Sequence, residues 1–432
     1  MRLNVFAGSL LAALSTPAFS APPEASLRPQ ARHPELVQRA VGGILESIRP
    51  EAATTVAPPV SADWATWRQT FAARARAQGI RQSVIDAAFR GVSPDPDILK
   101  LDRNQAEFSK PIWDYLDSAV SATRIKNGTA ALARHKGTLD AIEARYGVEK
   151  EVVTAIWGLE SAYGTFRGKT DVITALATLA FDGRRAAFFE EQLIAALRIL
   201  QAGDVSARAM RGSWAGAMGH TQFMPTSYLD HAEDFRRDGK RDIWSDNPED
   251  ALASTAAYLK HFGWTKGQPW GVEVTLPKGF DYALARRDEK RSPADWARLG
   301  VRPAKGQKIA NHGPGSILLP AGAQGAAFLI FENFSVLERY NTADAYVIGI
   351  GHLSDRLNGG GPFAADWPRG DRGLSFDERR EMQSRLTALG YDTLGVDGRI
   401  GPKTIAAVRA FQSARGLLPD GYASLSLLMR LR

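Results

Sequence analysis

From about Ser61 to Leu357 the apolar residues recur mainly at helical spacing, three and four positions apart. A chain patterned this way can bury its apolar stripes only by packing helix on helix, so the mainly α class is the expected outcome. One stretch breaks the pattern. Between Trp264 and Pro320 the density of Gly and Pro rises, and Gly271-Val-Glu-Val-Thr-Leu276 alternates in strand fashion. This predicts a small inserted subdomain of mixed α/β character. Asn358-Gly-Gly-Gly-Pro362 ends the large region, and Trp367 to Gly373 reads as a link. No internal repeat of a solenoid type is present.

The tail, 373–432, has its own helical pattern. Ser375 and Glu378 form a capping box, after which Met382, Leu386 and Leu389 are expected on one face, with Gly390 as the stop. A turn at Val396-Asp-Gly-Arg-Ile-Gly401 precedes Pro402, which opens a helix carrying Ile405, Val408 and Phe411. Leu425 and Leu428 begin a third helix, enough for a small core.

Residues 1–20 have the layout of a secretory signal peptide. Arg2 is followed by an apolar run, Val5 to Leu14, and by the small residues of Ala18-Phe19-Ser20. Residues 21–60, rich in Ala and Pro, predict an extended spacer with one short helix near Pro34 to Ile48. The expectation is an exported, periplasmic protein. No later stretch is apolar enough to span a bilayer, and with no cysteine there is neither a lipid-anchor site nor a thiolate zinc site, so no membrane anchor is expected. The formal charge is +7, from 54 Lys and Arg against 47 Asp and Glu. These basic residues are scattered rather than clustered, which argues against nucleic acid as a partner and better fits weak attraction to an acidic wall polymer or a membrane surface.

The segment with the most chemistry is Ile156-Trp-Gly-Leu-Glu-Ser-Ala-Tyr-Gly164. On a helix, Val152, Ile156, Leu159 and Tyr163 share one face, with Val153, Trp157 and Glu160 on the adjoining stripe. Glu160 is thus expected at the edge of an apolar surface beside an indole. Partial desolvation there raises a carboxyl toward the pKa of a general acid. The alternative is a boundary glutamate that ends in solvent. Gly158 costs such a helix about 1 kcal/mol relative to alanine, which predicts a close neighbour.

Trp157-Gly-Leu-Glu-Ser-Ala-Tyr-Gly164 resembles the catalytic segment of soluble lytic transglycosylases of the lytic murein transglycosylase B family. Arg211-Gly-Ser-Trp-Ala-Gly-Ala-Met-Gly-His-Thr-Gln-Phe-Met-Pro-Thr-Ser-Tyr228 is similar to that family's long second signature. Phe181-Asp-Gly-Arg-Arg-Ala-Ala-Phe-Phe189, Ala253-Ser-Thr-Ala-Ala-Tyr-Leu-Lys260 and Tyr340-Asn341 follow in the family's order. The resemblance covers roughly Asp63 to Trp367. It implies a lysozyme-like catalytic domain over 61–366, cutting between N-acetylmuramic acid and N-acetylglucosamine to leave 1,6-anhydromuramic ends. Glu160 would be the catalytic residue, acid and then base, since the motifs hold no second carboxylate of the kind ordinary glycosidases use. The competing readings are a hydrolytic muramidase and a non-catalytic wall-binding scaffold.

Within the second signature, Gly212, Gly216 and Gly219 are expected to leave bare backbone for a sugar chain to lie against. Ser213 and Gln222 offer neutral hydrogen-bonding groups, and Met224 an apolar surface for a pyranose. The alternative is a turn followed by a helix at Pro225. By resemblance Arg184 and Arg185 line the cleft, as do Tyr115, Tyr258, Tyr340, Asn341 and Tyr346. Asn341 or Thr342 also suits the cap of the helix that follows.

Asp234-Phe-Arg-Arg-Asp-Gly-Lys-Arg-Asp-Ile-Trp244 is EF-hand-like, with Asp234, Asp238 and Asp242 at positions one, five and nine and Gly239 at the sharp turn. The family often has a Ca²⁺-binding sequence here. This chain departs from it: Arg236 stands at the third ligand position and Ser245 at the twelfth, so a guanidinium supplies charge internally and no cofactor is required, with Ca²⁺ the open alternative. The tail, through Asp397-Gly-Arg-Ile-Gly-Pro-Lys-Thr404 and Phe411-Gln412, resembles the three-helix peptidoglycan-binding module. The implied partners are peptidoglycan glycan strands, together with other cell-wall enzymes.

Overall fold

The computed structural model describes residues 63–103, 110–306 and 308–432. The expected signal peptide and the spacer with its short helix lie outside the described residues.

Helices come first and are the dominant elements among the described residues. In chain order they are α1 (Trp64–Ala77), α2 (Gln82–Ala88), α3 (Pro96–Arg103), α4 (Ile112–Ala119), α5 (Ala122–Arg134), α6 (Lys136–Tyr146) and α7 (Lys150–Ser161). A two-residue strand β1 (Thr170–Asp171) leads into α8 (Val172–Asp182), α9 (Ala186–Ala202) and strand β2 (Arg211–Gly212). Then come α10 (Pro225–His231) and α11 (Glu249–His261). Of these, α7 holds the centre, packed against α5, α6, α11 and a later helix over Asp344–Leu357. Every residue of α7 from Val152 to Ser161 is buried, Glu160 included. The expected border position of Glu160 is therefore wrong. Thr154, Ala155, Gly158 and Ser161 are small enough for neighbours to close over the stripe that periodicity would leave facing water.

The inserted region is a four-stranded antiparallel sheet in the order β4-β3-β6-β5, formed by β3 (Gly271–Thr275), β4 (Arg302–Pro303), β5 (Ser316–Leu318) and β6 (Ala327–Ile330). A short helix α12 (Pro293–Arg298) carries the buried Trp296 against it. The sheet runs past the expected end at Pro320. Its last strand, β6, is buried at all four positions, and a continuous apolar run has no period by which to tell strand from helix. In β3, Gly271 and Val274 are buried while Val272 and Glu273 are half-buried, so the expected alternation does not describe its environment.

After the sheet, α13 (Glu332–Tyr340) and α14 (Asp344–Leu357) return to the helical body. Two glycines of α14 admit aromatic rings from opposite elements. A Cβ on Gly349 would lie 3.0 Å from Tyr115 of α4, and one on Gly351 only 2.5 Å from the Trp270 indole. The tail forms α15 (Phe376–Ala388), α16 (Pro402–Ala414) and α17 (Leu425–Leu431) around Met382, Leu386, Val408, Phe411 and Leu428. Its capping box and the proline at the start of α16 are both present. Leu389, expected in this core, is exposed, because the helix ends at Ala388 and the chain turns away at Gly390. Asp420 accepts a hydrogen bond from the Ala323 backbone at 3.0 Å and Arg409 donates to Ala285 O at 2.8 Å, tying the tail to the inserted region.

Candidate active site

Glu160 is the next-to-last residue of α7, which ends at Ser161. The helix stops with Ala162 and Tyr163 both in the left-handed region, at φ 49° and 59°. For residues with a Cβ this costs free energy and persists only where surrounding contacts enforce it. Here Tyr163 folds back over the helix: a Cβ on Gly158 would meet its ring at 2.6 Å, and its hydroxyl donates to Arg124 O at 2.8 Å. The close neighbour that Gly158 predicts is this ring.

The Glu160 carboxyl is wholly buried. Its Oε1 accepts a hydrogen bond of 2.6 Å from the Tyr346 hydroxyl on α14, and Oε2 has no partner among the described residues. Burial pushes its pKa from 4.5 up to about 8, with the Tyr346 hydrogen bond acting in the opposite direction. Tyr115, Tyr340 and Tyr346 are close enough to feel the Glu160 charge. Burial first, and that charge second, hold all three phenols above their ordinary value. At neutral pH the group is therefore a protonated acid among neutral hydroxyls. Such a site can give a proton to a bound oxygen and take one back without a neighbouring charge to neutralise.

The glycine-rich segment, 211–228, is held by its own hydrogen bonds and joins α7 on either side of Glu160. Ser213 Oγ accepts from the backbone N–H groups of Ala215 and Ala217 at 3.3 and 3.0 Å. Gln222, at φ 55°, donates through Nε2 to Gly219 O at 2.8 Å and Arg167 O at 3.2 Å. The glycines face protein, contrary to the expected bare backbone. Added Cβ atoms would lie 2.2 Å from Ala217 O at Gly212, 2.4 Å from Leu176 at Gly216 and 2.3 Å from Ile243 O at Gly219. Met224 is buried in the core, so it presents no surface to a pyranose in this state.

His220, which no sequence pattern singled out, joins the segment to α7. Its Nδ1 accepts from the Trp157 indole at 3.1 Å, which leaves the proton on Nε2, 2.7 Å from Ser245 O. Burial pushes its pKa down to about 4, so the ring is neutral. Ser161 Oγ donates to His220 O at 2.6 Å. Trp157 and Ser161 bracket Glu160 on the helix, so the indole expected beside the carboxyl is instead turned to the imidazole.

The remaining candidates fall into two groups. Tyr340 donates to Thr221 O at 2.7 Å and Tyr258 to Arg339 O at 2.5 Å, their rings 5.1 Å apart. Both hydroxyls thus hold backbone in place. Asn341 is buried and accepts from Ala343 N at 3.0 Å. The residue that opens α14 is Ala343, which has no side chain to cap it, so the capping expected of Asn341 or Thr342 is a turn just before the helix. Arg184 and Arg185 converge on Asp102, which is 2% exposed: Arg184 Nε at 3.0 Å and Arg185 Nη2 at 2.5 Å. Asp102 carries no local sequence signal and is legible only in three dimensions.

In the EF-hand-like loop, Asp234, Asp238 and Asp250 present carboxylate oxygens within 4.8 Å of one another. Asp250, at the start of α11, takes the place expected of Asp242 in this group. The Arg236 guanidinium already stands among them, with Nη2 3.1 Å from Asp238, 3.6 Å from Asp242 and 3.5 Å from Asp250. The donor set therefore does not fit Ca²⁺, which needs six to eight oxygens around one point and no cation there already. No helix among the described residues is long and apolar enough to cross a membrane.

Residues 63–355 match the transglycosylase SLT domain, and 376–431 match the putative peptidoglycan binding domain. The membrane-bound lytic murein transglycosylase B of Escherichia coli is 33% identical over 250 residues, 56% of this chain and 66% of that protein. SltB3 from Pseudomonas aeruginosa, solved in complex with NAG-anhNAM-pentapeptide, is 47% identical with a TM-score of 0.84, covering 86% of this chain and all of that one. The E. coli lytic transglycosylase Slt35, solved in complex with calcium, is 29% identical with a TM-score of 0.58, over 67% of this chain and 92% of that one. The chain belongs to the transglycosylase SLT domain family, as a lytic transglycosylase with a C-terminal peptidoglycan-binding domain.

Proposed function

We propose that this chain cuts the β-1,4 bond between N-acetylmuramic acid and N-acetylglucosamine without consuming water, with Glu160 as the one carboxyl that serves as acid and then base. The observation that carries the reading is the burial of Glu160, which keeps its proton near neutral pH. A glycan reaching Oε2 must displace the side chains that cover it. Glu160 then protonates the glycosidic oxygen, and N-acetylglucosamine leaves as an alcohol. The muramoyl acetamido oxygen stabilises the charge at C1. The ionised Glu160 takes the C6 hydroxyl proton, and the C6 oxygen bonds to C1, closing the 1,6-anhydro ring and restoring the acid. The chemistry uses no cofactor. The relative bound to NAG-anhNAM-pentapeptide supports this product class.

Tyr346 orients Glu160, Tyr115 and Tyr340 complete the neutral wall, and Arg184 and Arg185 line the approach. The catalytic domain spans 61–366 and the binding module 373–432, and the protein acts in the periplasm after export. Replacing Glu160 with Gln keeps the side-chain volume but removes the acid. It should lower turnover by roughly 10²–10⁴-fold while leaving sacculus binding intact. Unchanged cleavage by the variant overturns the assignment, and reducing muramic acid ends in the wild-type digest would identify a hydrolytic muramidase.

A further inference from the structure

The loop 234–246 has calcium-loop spacing but a guanidinium at its centre. Three of its carboxylates are held by backbone N–H groups of the same loop, while Asp246 pairs with Arg167. Asp234 accepts from Asp238 and Gly239, Asp238 from Lys240, and Asp242 from Trp244 and Ser245. Asp250 accepts from Phe235, Arg236 and Asp242, with its side chain fully buried. Acidic groups gathered this closely repel one another, and a loop of this kind is held by a cation that draws them together. Arg236, with its side chain 24% exposed, supplies that cation from the third ligand position. Ser245, at the twelfth position, cannot give the bidentate carboxylate that closes a calcium site.

We infer that Arg236 is a tethered cation that replaces a metal ion in this loop, so that the fold of this chain is independent of calcium. The loop is structurally consequential. Ile243 O accepts from His220 N at 3.1 Å, and Ser245 O accepts from His220 Nε2 at 2.7 Å, so the loop supports the imidazole on which Trp157 rests. A divalent ion entering among these carboxylates would stand against the guanidinium, and the two like charges exclude each other.

The test is calorimetric titration of the full chain with calcium, together with thermal unfolding in EDTA and in calcium up to about 5 mM, above the weakest affinities of such loops. The wild-type protein should bind no calcium and keep its midpoint within about 1 °C. Arg236→Gln removes the charge without adding a ligand and should lower the midpoint by roughly 3–8 °C in both solutions. Arg236→Asp restores an oxygen ligand and should unfold early in EDTA but recover with calcium. Calcium binding by the wild type overturns the inference, as does an unchanged midpoint in Arg236→Gln. Should Arg236→Asp fail to fold in either solution, the wild-type and Arg236→Gln results decide. None of these readouts depends on activity, so the outcome is separate from that of the proposed reaction.

Discussion

Glu160 imposes a stability cost that pH switches on, and Glu160→Gln removes it. Unfolded, the carboxyl ionises near 4.5; folded, burial pushes it up to about 8. A carboxyl raised in this way holds its proton more tightly in the folded state. Its contribution is fully present below 4.5 and is lost as the pH rises through about 8. At about 1.4 kcal/mol for each tenfold change in proton affinity, the whole window corresponds to roughly 5 kcal/mol as an upper bound. Water drawn in on ionisation lowers this to an expected loss of ~2–4 kcal/mol between about pH 5 and about pH 9. Glutamine has no proton to lose, so the variant escapes that loss. Urea unfolding of both proteins across this range gives the assay, because in their difference the other titrating groups cancel. The variant should gain stability relative to the wild type as the pH rises. A difference that stays flat with pH would refute the burial argument.

Three further outcomes follow from the same geometry. Since the Tyr346 hydroxyl holds the Glu160 pKa down, the wild-type kcat/KM should fall on the alkaline side around pH 8, and Tyr346→Phe should move that fall to higher pH; an unmoved profile would show that the bond does not tune the acid. Gly158→Ala favours the helix by about 1 kcal/mol intrinsically, yet should destabilise the protein by ~1–3 kcal/mol net, because its Cβ would lie 2.6 Å from the Tyr163 ring. Chemical denaturation checks the sign. Removing residues 373–432 should weaken binding to sacculi by roughly 10–100-fold in a pull-down while leaving turnover of short soluble glycans unchanged.

The helical class, the three helices of the tail and the helix bearing Glu160 were all legible, because each has a local period or a cap. What escaped local reading was set by distant partners. Tyr346 meets Glu160 across 186 positions, and Asp102 gathers Arg184 and Arg185 across 82 and 83. Periodicity placed Glu160 at a border because it sees one helix at a time, whereas burial depends on how many helices close around it. Gly212, Gly216 and Gly219 were read as open backbone when in fact Ala217, Leu176 and Ile243 stand against them. Composition cannot distinguish space left for a ligand from space filled by the fold. Conversely, the departure of Arg236 from calcium-loop chemistry was visible in sequence, since a cation at a ligand position is a local contradiction. Only the structure shows that Asp250, from the next helix, completes its carboxylate shell.

The most direct test of the proposed chemistry is the fate of water oxygen. Sacculi digested by the wild-type protein in water enriched in oxygen-18 should yield 1,6-anhydromuramic products that carry no label, because the oxygen bonded to C1 comes from the substrate's own C6 hydroxyl. Glu160→Gln should form these products roughly 10²–10⁴-fold more slowly. Reducing muramic acid ends carrying one labelled oxygen would contradict the account and assign the cut to hydrolysis.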